Sequence, residues 1–509
     1  MPIAPNLNWL TQRAIQTCDR TALIFADRVW SYAEMEAEAI QIARNLSEQG
    51  IGYGCRVGIL MENHGNYIFL IYALAKLGSI AVLLNTRLSA KELNWQMQDS
   101  ATKFLIYDRR TEEKACEVIE RFQTGDQTEG LKLIEIEAVK QADRDSQQRI
   151  SQDFIPDIDL ESIQAIIYTS GTTGKPKGVQ LTYGNHFHSA IASAQNLDTD
   201  TRDNWLVCLP LFHVGGLSII WRSVLDGSTI TLEPRFDLER VIQAIAMGKI
   251  TLISLVPTML TRILDRLSQS DVSMQIEEWR KLRGILLGGA APNQQLLERC
   301  LELKLPIMPT YGMTETASQI ATLSPQDVMC KRGSVGQPLQ CSQVRIVSID
   351  FPEIELPIGE IGQILVKGTN VMAGYVNSSI TETLRDGWLH TGDLGYVDSE
   401  GFLYVVSRRT DLIISGGENI YPAELEEILM QHPAIQDACV VGVSDREWGQ
   451  IVVAVLVTTE FLTVTEIREF CLSRDLAKYK LPKAIHRVDR LPKTASGKLA
   501  RHKVLESLS

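Results

Sequence analysis

The stretch that decides the fold reads Ile166-Ile-Tyr-Thr-Ser-Gly-Thr-Thr-Gly-Lys-Pro-Lys-Gly-Val-Gln-Leu-Thr182. Its apolar start predicts a buried strand, and a loop rich in hydroxyl, glycine and lysine residues follows. Hydroxyl groups and bare backbone N–H groups can surround a phosphate, while lysines neutralise its charge. The loop therefore predicts a polyphosphate site, and its binding residues are Thr169, Ser170, Gly171, Thr172, Thr173, Gly174, Lys175 and Lys177.

The spacing within this loop differs from that of the common P-loop. The P-loop pattern has Gly-Lys-Ser/Thr five residues after its first glycine, whereas Pro176 stands five residues after Gly171. This difference argues against a P-loop kinase. The bland alternative is a solvated turn without function, and the number of matched positions disfavours it.

Tyr168-Thr-Ser-Gly-Thr-Thr-Gly-Lys-Pro-Lys-Gly178 resembles the phosphate-loop signature of the acyl-adenylate-forming superfamily. That superfamily includes acyl-CoA synthetases, the adenylation domains of peptide synthetases and firefly luciferase. The resemblance implies an enzyme that uses ATP and Mg²⁺ to activate a carboxylic acid. Further segments that resemble the superfamily's motifs follow in the expected order as far as residue 501.

Composition and charge limit the other functions. The chain has 509 residues, 45% of them hydrophobic and 22% charged, as in globular proteins of several domains. A net charge of −12 argues against a general nucleic-acid binder. Nine cysteines without a C-x-x-C pair indicate neither zinc nor a redox dithiol and fit a reducing, cytoplasmic location. No signal peptide is evident at the N-terminus.

Membrane insertion is not expected. The most apolar stretch, Ile68 to Leu84, is interrupted by Lys76 and Gly78. A membrane-spanning helix needs roughly 20 consecutive apolar residues. This stretch instead predicts a buried helix, a turn and a buried strand.

The order of the apolar segments predicts the fold class. Short apolar strands alternate with helices up to Tyr107, and Ser89-Ala-Lys-Glu92 has the spacing of a capping box. The polar stretch from Gln123 to Asp157 is expected to be a surface excursion. Short strands with glycine-rich turns over about 333–407 predict an antiparallel, barrel-like subdomain. We therefore expect a large N-terminal domain of layered α/β subdomains plus this subdomain (1–409). The resemblance implies that a small, mobile C-terminal α+β lid follows it (410–509).

Two motifs would complete the nucleotide site. In Pro309-Thr-Tyr-Gly-Met-Thr-Glu-Thr316, the resemblance implies that Tyr311 and Gly312 lie against the adenine, Thr314 meets the α-phosphate and Glu315 holds Mg²⁺. An aromatic face, a hydroxyl and a hard oxygen ligand suit these roles. The resemblance also implies that Asp393 and Arg408 reach the ribose hydroxyls.

The acyl pocket is expected beside two glycine-bearing turns. His213 and Gly215 follow the strand at Leu206 and resemble the motif that borders this pocket. The small residues Gly288 and Gly289 end another strand and leave room for a ligand, and we expect Gly288 to border the acyl substrate and Gly289 to border the nucleotide. A lone histidine beside apolar residues can also be structural, and that alternative stays open here.

Catalysis by the superfamily also involves the lid. The segment from Leu491 to Arg501 resembles the motif of the catalytic lysine, which would be Lys498. The resemblance places the hinge at Thr410, where many members carry Asp or Lys. Ser415, Gly416 and Gly417 would meet the pantetheine arm of CoA, because glycine lets it run against bare backbone.

The acyl group is suggested by closer resemblance alone. Four segments, which begin at Leu83, Leu209, Tyr311 and Ser415, resemble the branch of the superfamily that activates 2-succinylbenzoate in menaquinone and phylloquinone biosynthesis. This small aromatic acid carries a second carboxylate, which needs a cationic or hydrogen-bonding partner. Arg222 is the candidate partner; a surface arginine on the same helix is the alternative.

Three other functions remain open at this point. Another aryl- or fatty-acyl-CoA ligase would share every motif but would need a different pocket. An adenylation domain that serves a carrier protein is disfavoured because no carrier motif is evident. A non-catalytic adenylate-binding protein would be expected to lack Lys498 or Glu315, and both are present. A homo-oligomer is possible.

Overall fold

The computed structural model describes residues 3–123, 131–141, 157–169, 176–268, 273–292, 294–377, 383–408, 411–415, 418–445, 448–474, 476, 478–493 and 499–508. Within these ranges, no helix is both long enough and apolar enough to cross a membrane. All nine cysteines are free thiols.

Strands and helices alternate over the first part of the chain. They are α1 (Trp9–Gln16), β1 (Thr21–Phe25), β2 (Arg28–Ser31), α2 (Tyr32–Glu48), β3 (Arg56–Leu60), α3 (Gly65–Lys76), β4 (Ile80–Leu83), α4 (Ala90–Asp99), β5 (Phe104–Tyr107), α5 (Glu112–Gln123), β6 (Lys132–Glu135), α6 (Ile136–Gln141), β7 (Ile163–Thr169) and β8 (Lys177–Thr182). The predicted capping box is confirmed, since Ser89 and Glu92 bond to each other's backbone N–H at the start of α4.

The alternation continues to residue 322. The elements are α7 (Tyr183–Leu197), β9 (Asn204–Val207), α8 (Val214–Asp226), β10 (Thr229–Leu232), α9 (Leu238–Ala246), β11 (Leu252–Leu255), α10 (Pro257–Ser268), α11 (Ser273–Arg280), β12 (Gly284–Leu287), α12 (Gln294–Glu302), β13 (Ile307–Met313), a 3₁₀ turn (Thr314–Thr316) and β14 (Ser318–Thr322). Strands β9, β11 and β12 are buried along their whole length. Burial on both faces is typical of parallel strands covered by helices.

The next elements are short strands: β15 (Ser342–Val347), β16 (Gly362–Gly368), β17 (Gly374–Tyr375), β18 (Leu384–Arg385), β19 (Trp388–Val397) and β20 (Leu403–Arg408). A five-stranded antiparallel sheet has the order β15-β16-β19-β18, with β20 paired to β19. The predicted antiparallel character of this region is thereby confirmed. Strand β17 does not belong to this sheet and instead pairs with β8.

Two larger sheets form the α/β part. One has seven strands in the order β17-β8-β7-β4-β3-β5-β6, and the other has eight in the order β14-β13-β12-β11-β9-β10-β1-β2. Their central strands are parallel, as predicted. The polar region was expected to be only a surface excursion, and this is wrong for residues 131–141. There Ile134 and Ile136 are buried, and β6 pairs with β5.

The C-terminal elements form a small α+β domain, as predicted. They are β21 (Ile413–Ser415), β22 (Glu418–Ile420), α13 (Pro422–Leu429), β23 (Ile435–Asp445), β24 (Gly449–Thr458), α14 (Val464–Leu472), a 3₁₀ turn (Lys478–Lys480), β25 (Ala484–Arg487) and α15 (Arg501–Leu508). Alternate residues of β23 face opposite sides. Val440 therefore packs in one apolar cluster of this domain, and Cys439 and Val441 pack in another.

Candidate active site

The base of the phosphate loop is an antiparallel hairpin. Thr169 at the end of β7 lies opposite Lys177 at the start of β8, and Tyr168 lies opposite Gly178. A Cβ at Gly178 would lie 3.0 Å from the Tyr168 ring, so a larger residue would force that ring to move slightly. The predicted phosphate-binding residues 170–175 lie outside the described residues. The hairpin places Thr169 and Lys177 side by side, and their binding of phosphate stays a prediction.

The predicted adenine and ribose residues lie together. The hydroxyl of Tyr311, near the end of β13, donates to Oδ2 of Asp393 at 2.6 Å. Asp393 in turn lies opposite Arg408 in the pairing of β19 with β20. Gly312 is packed so closely that an added Cβ would clash with the backbone of Ser318. An aromatic ring and a carboxylate therefore converge at one place, which suits a nucleoside.

The carboxylate proposed for Mg²⁺ is held by a tyrosine. Thr314 and Glu315 lie on the 3₁₀ turn after β13, and Glu315 Oε1 accepts a 2.9 Å hydrogen bond from Tyr375. Burial and the nearby Glu315 carboxylate raise the pKa of Tyr375 far above its usual value, so its hydroxyl stays a donor. Lys177 Nζ lies 5.1 Å from the centre of the Tyr375 ring. Glu315 is thus linked through Tyr375 to the phosphate loop.

These residues fit a magnesium site that ATP helps to complete. Across the described ranges, no three His, Cys, Asp or Glu side chains cluster closely enough to bind a metal by themselves. Mg²⁺ commonly binds through one or two carboxylates plus substrate phosphates. A single half-buried carboxylate near a phosphate loop meets this requirement.

His213 lies beside the phosphate loop. It precedes α8 and makes no side-chain capping hydrogen bond to that helix. A cavity of about 110 Å³ is lined by His213 and Phe212 together with Thr169 and Pro176. The structure therefore brings His213 and the two ends of the phosphate loop to one cavity, and the role of His213 at the acyl pocket stays a prediction.

The glycines predicted at the pocket are tightly placed. Gly289 follows β12 with φ +80°, a conformation that favours glycine. A Cβ at Gly288 would lie 2.6 Å from the Thr310 side chain, so a larger residue would force that side chain to move. Gly215 lies in the first turn of α8, after the strand β9, which ends at Val207.

Arg222 is buried inside the protein. Its Nη2 donates to Ser318 Oγ at 3.1 Å, and Ser318 Oγ lies 3.5 Å from Ser218 Oγ. Its Nε is buried without a hydrogen-bond partner. Burial lowers the pKa of Arg222 to about 10, so it keeps its charge at neutral pH. The alternative of a surface arginine is therefore wrong.

Helix α8 holds Arg222 rigidly. Arg13 Nε donates to the carbonyl of Val224 at 2.8 Å, and the hydroxyl of Tyr32 donates to the carbonyl of Ser223 at 2.7 Å. These bonds satisfy carbonyls in the last turn of the helix, where a cation is also favoured by the helix dipole. The guanidinium of Arg222 therefore projects from a helix whose position is fixed by hydrogen bonds to α1 and α2.

The lid residues are placed only in part. Ser415 ends β21 and is buried, whereas Thr410, Gly416, Gly417 and Lys498 lie outside the described residues. Lys493 and Leu499 form an antiparallel bridge.

The sequence did not predict three residues that contact or lie near the predicted site residues: Tyr375, Ser318 and Arg501. Tyr375 and Ser318 contact Glu315 and Arg222, as described above. Arg501 NH2 lies 2.6 Å from Glu426 Oε1, and its NH1 lies 3.6 Å from Asp411 beside the predicted hinge. A tyrosine after Gly374 carries no local signal that separates it from a core aromatic. The sequence likewise gives no sign that Arg501 lies between Glu426 and Asp411, because these residues are far apart in the chain.

The fold and the site together define an adenylate-forming enzyme. Residues 10–376 match the model of the AMP-binding enzyme family, and residues 424–498 match that of the AMP-binding enzyme C-terminal domain. The chain belongs to this family. The predicted superfamily and fold class are thereby confirmed.

Relatives of known activity resemble the whole chain. It is 44% identical over 499 residues to a 2-succinylbenzoate–CoA ligase of Bacillus cereus, and the match covers 98% of this chain and 97% of the relative. The o-succinylbenzoate CoA synthetase of Bacillus subtilis in complex with the acyl-adenylate intermediate OSB-AMP is 41% identical, with a TM-score of 0.87 and 98% of both chains covered. The same enzyme with ATP and magnesium is 40% identical, with a TM-score of 0.86 and coverage of 98% and 99%.

Proposed function

We propose that this protein is an AMP-forming CoA ligase that activates 2-succinylbenzoate and transfers it to CoA in menaquinone or phylloquinone biosynthesis. Its co-substrates are ATP and CoA, and its metal is Mg²⁺. Whole-length similarity to ligases of this activity supports the reaction. The observation that carries the substrate class is the buried Arg222, whose guanidinium lies against Ser318, three residues after Glu315.

In the first half-reaction, a carboxylate oxygen of the acid attacks the α-phosphorus of ATP and pyrophosphate leaves. Residues 169–177 hold the β- and γ-phosphates, and Thr314 donates to the α-phosphate. Lys498 bridges the attacking carboxylate and the α-phosphate. Positioning and charge stabilisation supply most of the rate in such a transfer. Glu315 would hold Mg²⁺, which would supply positive charge against the phosphates.

The nucleoside is held away from the reacting atoms. Tyr311 packs against the adenine, and Gly312 and Gly289 lie beside it. Asp393 and Arg408 bind the ribose hydroxyls. The 2.6 Å bond between Tyr311 and Asp393 supports this assignment, because it places the ring and the carboxylate next to each other.

In the second half-reaction, the CoA sulfur attacks the acyl carbon and AMP leaves. The lid (410–509) rotates about a hinge near Thr410, which withdraws Lys498 and presents Ser415, Gly416 and Gly417 to the pantetheine arm. Such rotation of a small domain is a common way to switch between two conformations of an active site. The separate apolar clusters of the lid are consistent with this movement.

The ring carboxylate of the substrate binds Arg222 in the acyl pocket near His213, Gly215 and Gly288. A charged guanidinium buried without an Nε partner is costly, and a carboxylate of the substrate would pair with it. A fatty acid would leave this charge unpaired, so a fatty-acyl-CoA ligase is disfavoured.

A homo-oligomer and a cytoplasmic location stay predictions from the sequence.

The test is acid-dependent release of pyrophosphate. Purified protein with ATP and Mg²⁺ is offered 2-succinylbenzoate, benzoate, a medium-chain fatty acid or an amino acid, with and without CoA. We expect release with 2-succinylbenzoate and a thioester only when CoA is present. Release of pyrophosphate with another acid alone would overturn the proposed substrate. No release of pyrophosphate with any acid would overturn the proposed reaction.

A further inference from the structure

Tyr375 connects two parts of the nucleotide site that are far apart in sequence. It lies on β17, where it pairs with Val179, two residues after Lys177. Its hydroxyl donates to Glu315 Oε1 at 2.9 Å. Its ring centre lies 5.1 Å from Lys177 Nζ. One side chain thus contacts both the proposed metal carboxylate and a lysine of the phosphate loop.

The backbone around Tyr375 is fixed to the same two parts. The N–H of Met372 donates to the carbonyl of Glu315 at 2.9 Å, and the N–H of Val376 donates to the carbonyl of Gly178 at 2.8 Å. The amide of Asn185 donates to the carbonyl of Val371 at 2.8 Å. The phenol therefore approaches Glu315 from a rigid segment, so the bond costs little conformational entropy.

We propose that Tyr375 is a positioning residue that orients the Glu315 carboxylate for the binding of Mg²⁺-ATP. Its hydroxyl engages Oε1 and so restricts rotation of the carboxylate. A side chain that orients a metal-binding carboxylate by a hydrogen bond commonly affects metal affinity by about 10- to 100-fold. The inference rests on the proposed role of Glu315.

A purely structural role would depend on the ring of Tyr375 and not on its hydroxyl. Tyr375→Phe keeps the ring over which Lys177 lies and removes only the bond to Glu315. Tyr404→Phe is the matched control, because Tyr404 also places its hydroxyl near a carboxylate, 3.5 Å from Asp398 Oδ2, and stacks on Tyr396. Tyr404 lies in the antiparallel sheet and has no proposed role in binding Mg²⁺.

The experiment is calorimetric titration of ATP into the full-length protein at a series of Mg²⁺ concentrations, and again in EDTA. For Tyr375→Phe we expect the Mg²⁺ concentration that gives half-maximal ATP affinity to rise about tenfold. ATP affinity in EDTA should match that of the wild type. Tyr404→Phe should match the wild type under both conditions. An unchanged Mg²⁺ dependence for Tyr375→Phe, or an equal loss in EDTA, would overturn the inference.

A second variant separates this inference from the proposed role of Glu315. Glu315→Gln should raise the Mg²⁺ concentration that gives half-maximal ATP affinity more than Tyr375→Phe does. Adding Tyr375→Phe to Glu315→Gln should not raise it further, since the two residues act through one contact. An unchanged Mg²⁺ dependence in Glu315→Gln would overturn the role of Glu315. A shift in Glu315→Gln together with none in Tyr375→Phe would overturn only the inference.

Discussion

The phenol oxygen of Tyr311 lies 2.6 Å from Oδ2 of Asp393, and this hydrogen bond joins the eight-stranded sheet to the antiparallel sheet. The two residues are 82 positions apart in the chain. The nucleoside site therefore depends on how two separate sheets dock.

Asp393→Asn should weaken ATP binding about tenfold, because a charged acceptor for the ribose hydroxyls is lost. Calorimetric measurement of the dissociation constant of ATP checks this. Tyr311→Phe removes the same internal hydrogen bond but keeps the carboxylate, so its loss should be smaller. Equal losses in the two variants would contradict the assignment of the carboxylate to the ribose.

Arg222→Ala should raise KM for 2-succinylbenzoate by roughly 30-fold or more and leave KM for ATP nearly unchanged. The physical reason is that truncating one partner of a buried charge pair costs at least about 2 kcal/mol. Steady-state kinetics with each substrate varied in turn is the measurement. Arg222→Lys keeps a positive charge and should lose less. If both KM values stay at the wild-type level, Arg222 does not bind the ring carboxylate.

Lys498→Ala should slow formation of the acyl-adenylate by at least about 10²-fold, as when one donor to the transition state is removed. Thioester formation from supplied acyl-adenylate should continue at nearly the wild-type rate, because the proposed rotation removes Lys498 from the second site. Pyrophosphate release measures the first step, and chromatography of the CoA thioester measures the second. Equal loss of both steps would refute alternating use of the lid.

His186 should make stability depend on pH. It is buried with both ring nitrogens unpartnered, and burial lowers its pKa to about 3. Below about pH 6.5 the unfolded chain binds a proton at this histidine and the folded chain does not. The free energy of unfolding therefore decreases as the pH falls from about 6.5 towards 3. This residue should contribute about 2 kcal/mol of destabilisation between pH 7 and pH 5.

Urea denaturation at the two pH values measures this effect in the wild type and in His186→Leu. The variant should lose less stability on acidification than the wild type does. The same loss in both proteins would show that His186 is not the group responsible.

Much of the fold could be predicted because its signals are local. The capping box at Ser89 and the apolar run after Ile68 each indicate an element from adjacent residues alone. The region around Ile134 was misjudged, since a four-residue strand amid charged residues gives little periodicity. Its burial depends on pairing with β5, which the local pattern does not contain.

The site was predictable only where its motifs are contiguous. Tyr311 and Glu315 lie in one short motif, so their proposed roles could be predicted together. The partners of these residues, Asp393 and Tyr375, come from other sheets or strands. Arg222 could be suggested but not placed, because a helix position alone does not tell whether a charged side chain is buried.

The C-terminal domain carries its own apolar clusters on both faces of its sheet, drawn entirely from residues 413 onward. A domain with its own core can form a separate cooperative unfolding unit. The amide protons of Val440 and Val453 should therefore exchange with solvent at a rate set by this domain, independently of those in the central strands. Ligands that restrain only the large domain would then raise one melting transition and leave the other in place.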